Sequence, residues 1–95
     1  MSQAPFAPHT VTQFYDNIET YVYFSNQPKA QVPILAMLIT TAIAMIDADA
    51  DHYAKLMTNL DQKYSAQNNP QRQQQYGALQ IILGAVQNGL RQLND

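Results

Sequence analysis

The stretch IDADADHY, Ile46 to Tyr53, gathers the residues of this chain best suited to chemistry: Asp47, Asp49 and Asp51 alternate, and His52 follows. Carboxylates beside a histidine serve as ligands for cations or as acid–base pairs. Their positions on the backbone decide whether they converge. Each helical residue turns by about 100°, so with Ile46 at the centre of a buried face, Asp47 and Asp51 share one solvated side as neighbours four apart. Asp49 falls on the other flank of that face, and His52 lies further round. Three diverging carboxylates do not hold one ion. An EF-hand loop is also excluded, because its glycine and closing glutamate positions are filled by His52 and Thr58. Asp49 and His52 alone would need further His or Cys ligands to hold zinc, and no second motif supplies them. The expected role is a solvated acidic face, with Asp49 best positioned to touch a partner. Neither a metal nor another cofactor is expected.

The remaining candidates for chemistry are isolated. His9 precedes the expected start of a helix. Ser25 and Ser65 lie in turns and lack a Gly-x-Ser-x-Gly elbow. Gly77, Gly84 and Gly89 do not form a phosphate loop; Gly77 and Gly84, one heptad apart, are expected to flank a closely approaching helix. No tyrosine has an evident activating base. The sequence therefore predicts binding rather than catalysis, and no enzyme.

Composition narrows the class of partner. The chain has 95 residues, of which 46% are hydrophobic and 13% charged. An average domain carries about 25% charged residues, so the polar surface here is built from amides and hydroxyls, which favours self-association. Seven acidic and five basic residues give a net charge of −2. Lys29, Lys55, Lys63, Arg72 and Arg91 are scattered, so nucleic acid is not an expected partner. There is no cysteine. The opening MSQAPFAPHT has no basic segment followed by an apolar run, so a cytoplasmic location, or export without a cleavable signal, is expected. The apolar run Val32–Ile46, about 15 residues, falls short of the ~20 of a membrane span, and none is expected.

These residues must be carried by helices. Residues 1–9, with Pro5 and Pro8, read as a flexible arm with Phe6 as an anchor. Helix one is expected over 10–25, with Thr10 capping and Gln13 reaching back; Val11, Phe14, Ile18, Tyr21 and Val22 recur on one side, with Asp16 and Glu19 opposite. Helix two is expected over 30–67, opened by Pro28 or Pro33. No breaker follows Ile34 until about Asn68, which predicts a rod of roughly 33 residues and about 50 Å. Helix three, over 70–93, has a capping Asn69 and Pro70 in its first turn. The amide-rich stretch 67–75 reads as a solvated hairpin tip.

A 4,3 spacing threads helix two through Val32, Ala36, Ile39, Ile43, Ile46, Ala50, Tyr53, Met57, Leu60 and Tyr64, and helix three through Tyr76, Leu79, Leu83, Val86, Leu90 and Leu93. The expected fold is all-α: one domain built as a long antiparallel, coiled-coil-like hairpin with a shorter N-terminal helix packed on it; the alternative is an ordinary three-helix bundle with a wider apolar stripe. The segment VPILAMLITTAIAMI is apolar nearly all round, and a helix apolar on every side requires cover on every side. The expected contact surface is therefore Ile34, Leu35, Met37, Leu38, Thr41, Ala42 and Met45, with Asp49 at its edge; the alternative is that helices one and three together cover the segment.

With its Asn-Pro opening the second arm, no cysteine and no cleavable signal, the hairpin resembles small components of bacterial specialised secretion systems, namely needle-type subunits and their helical chaperones. It lacks the Trp-x-Gly turn of one secreted hairpin class. The resemblance spans residues 30–95 at the level of architecture and implies an adaptor, chaperone or filament subunit that forms a homo-oligomer or binds a protein partner. The alternative is a small phage- or plasmid-type regulator that docks on another protein.

Overall fold

The structure, a computed structural model, describes residues 6–94. The expectation of a flexible arm falls partly on residues 1–5, outside the described residues. Three helices follow in order, α1 (Pro8–Tyr23), α2 (Pro28–Ala66) and α3 (Pro70–Asn94), and the fold is all-α.

Helix α1 starts two residues before the expected cap. Ala7 is its N-cap, in extended conformation, and no side chain caps it. Pro8 occupies the first turn, where a missing N–H costs nothing and φ is already helical. Phe14, Ile18, Tyr21 and Val22 form its buried face, and Phe6 is buried in the same core. The turn Phe24–Gln27 is closed by the Gln27 N–H on the Phe24 carbonyl at 2.9 Å.

Helix α2 opens with Pro28 in its first turn and continues through Pro33. Its backbone then leaves helical geometry at one residue, Asp49, with φ −164° and ψ 94°. A straight helix of 39 residues would measure about 58 Å, yet the longest dimension of the molecule is 39 Å. The helix therefore folds back at Asp49 into two arms. Both arm ends meet the first turns of α3: the Gln31 amide reaches Gln75 Oε1 at 3.2 Å, and the Tyr64 ring stacks on Tyr76 with centroids 4.4 Å apart. The unbroken rod expected from the sequence is thus corrected to two nearly antiparallel arms.

Helix α3 begins as expected, with the Arg72 N–H donating to Asn69 Oδ1 at 3.2 Å. Phe14 and Ile18 of α1, Leu38 and Met45 of the first arm, Tyr53, Leu60 and Tyr64 of the second arm, and Leu79 and Leu83 of α3 form one core. The fold-back changes which residues of α2 face it. After Asp49 the buried residues are Tyr53, Met57, Leu60 and Tyr64, those of the 4,3 thread. Before Asp49 they are Ile34, Leu38, Ala42 and Met45. The thread residues of the first arm, from Val32 to Ile46, are turned outward or only half covered.

Candidate functional site

Asp49 answers the question posed by its neighbourhood. Its Oδ1 accepts the His52 backbone N–H at 3.1 Å, and its Oδ2 lies 2.8 Å from His52 Nδ1. This is an N-cap: a short acidic side chain satisfies a donor that the first turn of the second arm leaves free. The hydrogen bond from the His52 backbone, strengthened by the His52 ring, holds the Asp49 carboxyl below its ordinary value. Asp47 and Asp51 are exposed, and among the described residues no three His, Asp or Glu side chains gather as a metal site. Aspartate is a preferred N-cap residue; the absence of a breaker between Ile34 and about Asn68 predicts a helix interior there instead.

A polar network closes the opposite end of the molecule. Glu19, expected on a solvated side, is half-buried. It accepts hydrogen bonds from the Tyr64 hydroxyl and from Arg72 Nη1 at 3.1 Å, with Lys63 Nζ at 3.4 Å. Partial burial pushes the Glu19 carboxyl upward, but the Tyr64 and Arg72 hydrogen bonds and the Lys63 charge outweigh it and hold the group below its ordinary value. Burial raises the Tyr64 and Tyr76 hydroxyls, and their carboxylate acceptors, Glu19 and Asp61, raise them further. Tyr76 donates to Asp61 Oδ1 at 2.6 Å, and the Gln80 amide donates to the same oxygen. These tyrosines remain protonated donors, not nucleophiles.

The Gln-rich tip is mostly exposed, and its amides also donate within the fold. Gln71 donates to Ser25 Oγ at 2.9 Å and Gln73 to the Gln67 carbonyl at 2.6 Å; on α2, Gln31 donates to the Tyr21 carbonyl at 2.8 Å. The amides tie the two inter-helix turns together. An open groove of about 380 Å³ lies beside them, lined by Asp61, Tyr64, Tyr76 and Gln80 among others. Asp61 Oδ1 and the Tyr64 and Tyr76 hydroxyls in its lining are paired within the network.

The first arm of α2 carries the exposed apolar surface. Four residues expected as contacts, Ile34, Leu38, Ala42 and Met45, belong instead to the core, and Leu38 is 0% exposed. Their burial has a simple cause: the fold-back brings the second arm and α3 against that side. Leu35 and Thr41 are half-buried, and Met37 is exposed. Thr41 donates to the Met37 carbonyl at 2.9 Å, so its hydroxyl is satisfied within the helix. With Gln13 and Asn17 of α1, Met37 and Thr41 line a groove of about 320 Å³. Ala36 and Thr40, both exposed, line the same groove; on the other flank run Val32, 65% exposed, and Ile43, 40% exposed, with Leu35, Ile39 and Ile46 half covered. No charged residue occurs on α2 between Lys29 and Asp47. By length and composition α2 also contains a stretch apolar enough to cross a membrane, most of it unburied within the chain. Comparison with protein-family models, with curated proteins and with solved structures gave no match.

Proposed function

We propose that the chain is a non-enzymatic helical module for protein–protein interaction, primarily self-assembly, and that its contact face is the outer side of the first arm of α2. One observation carries this reading: Val32, Ala36, Ile39, Ile43 and Ile46 form an uncharged apolar stripe at 4,3 spacing, with Val32 and Ile43 open to solvent. Apolar area in water is unfavourable by about 25 cal/mol per Å², and a helix seam of this spacing is covered by another helix. The contact surface expected from the sequence is kept in its segment and moved round the helix, away from the core side.

Sedimentation and circular dichroism on Ile43→Asp test the reading. The substitution lies on a partly exposed site, so helicity is expected to stay within a few per cent of the parent chain. Association is expected to be lost, because a charge would have to be desolvated in the contact. A parent chain that sediments as a monomer, or an Ile43→Asp variant that associates as well as the parent, would overturn it.

A further inference from the structure

Helix α2 carries two apolar faces, and only one fits its present shape. The folded-back arrangement uses Ile34, Leu38, Ala42 and Met45 before the break and Tyr53, Met57, Leu60 and Tyr64 after it. The 4,3 thread from Val32 to Tyr64 falls into a single line only if the helix runs straight. The break is one residue wide. Ala48 and Ala50 flank it, no glycine or proline lies between Ile34 and Asn69, and alanine is the strongest helix former. Local preference therefore opposes the fold-back. It is held by the core contacts and by the Asp49 cap on His52.

We infer that α2 straightens at Asp49 and that two copies of this chain exchange halves, so that α1 and the first arm of one copy pack on the second arm and α3 of the other. A one-residue hinge between two halves of a domain is a feature that allows such an exchange. Every core contact of the folded-back chain is remade between copies, and Asp49 gains the helical hydrogen bonds that the break forgoes. The exchange keeps Ile34, Leu38, Ala42 and Met45 as the buried side of each first arm, so the outer stripe stays outside the remade core. The occupant of that outer face is a second copy. An uncharged stripe offers nothing by which to select a charged partner, and the chain itself supplies the matching spacing. This inference rests on the reading of the outer face as a contact surface.

The chain has no cysteine, so a pair of spin labels at the exposed sites Lys29→Cys and Asn59→Cys, outside the stripe, reports the shape of α2. Labelled protein is refolded with excess unlabelled protein, so that distances within one copy are read, and the dimer fraction is isolated. A straight helix puts the labels about 45 Å apart; the folded-back helix gives less than about half of that. Two variants shift the equilibrium in opposite directions. Asp49→Ala removes the cap and is expected to raise the dimer-to-monomer constant roughly tenfold or more. Ala50→Pro suits the first turn of the second arm but forbids a continuous helix, and is expected to lower that constant at least about a hundredfold while leaving a folded monomer. A dimer with the short distance, disrupted by Ile43→Asp, overturns the exchange and leaves the contact face standing. A dimer with the long distance that Ile43→Asp does not disrupt supports the exchange and overturns the contact face. Equal dimer constants for the parent, Asp49→Ala and Ala50→Pro overturn the exchange.

Discussion

Glu19 joins three elements through one carboxylate: it sits on α1 and meets Lys63 and Tyr64 at the end of α2 and Arg72 at the start of α3. Its pKa in the folded chain is below the ordinary 4.5. The stability it contributes is therefore fully present above that value and is lost as pH falls through the folded pKa. Urea titrations between pH 6 and pH 2 should show a steeper loss below about pH 4.5 for the parent than for Glu19→Gln. At pH 7 that variant should cost on the order of 1 kcal/mol, since water screens a carboxylate about one-third exposed. Equal pH slopes would show that the Glu19 carboxylate contributes nothing through its partners Lys63, Tyr64 and Arg72. Tyr53 presents the opposite case. Its ring is buried against Phe14, its hydroxyl has no hydrogen-bond partner among the described residues, and burial pushes its pKa up to about 12. Tyr53→Phe relieves an unpaired buried donor, so the urea midpoint should rise, by about 1 kcal/mol, with an unchanged slope.

At the scale of the element, α3 shows how little a glycine implies without its neighbours. The heptad spacing of Gly77 and Gly84 suggested a helix approaching closely. Among the described residues, no atom beyond the neighbouring backbone of α3 itself lies within 4 Å of the point where a Cβ would stand on Gly77, Gly84 or Gly89. The glycines weaken the helix and admit nothing. Gly77→Ala should therefore stabilise the protein by roughly 0.5–1 kcal/mol through helix propensity alone, read as a higher melting temperature with an unchanged circular dichroism spectrum. A lower melting temperature would show that a neighbour does need the space. The far end of α3 behaves differently. Its expected seam is buried at Tyr76, Leu79 and Leu83, but Leu93 is 83% exposed, because the seam outruns the other helices.

For the molecule as a whole, the decisive contrast lies between two residues five positions apart on α2. Leu38 is at the centre of the core and Ile43 is on its outer side. Leu38→Asp should unfold the chain, since an unpaired charge in that site costs more than about 4 kcal/mol against a typical total of 5–15. Ile43→Asp should leave the fold intact. Circular dichroism on the pair checks the assignment of faces: a folded Leu38→Asp variant would put the core on the wrong side of α2. The same contrast separates core from contact, because both residues belong to one apolar segment and only one is covered by the chain's own helices.

The all-α class, the three helices and the Asn69–Pro70 start of α3 were legible because periodicity and capping are local signals. The burial of Tyr53, Met57, Leu60, Tyr64, Tyr76, Leu79 and Leu83 was legible for the same reason. Three features depended on tertiary structure. The Glu19 network joins residues 45 and 53 positions apart, and no spacing announces such a pairing. The outward turn of Val32 to Ile46 followed from the break, which exchanged one apolar face of the first arm for another. The break itself stands in a segment whose local preference is helical. Asp49 is able to cap a helix start or to sit within a helix, and the choice is made by the core that closes when the two arms of α2 lie side by side.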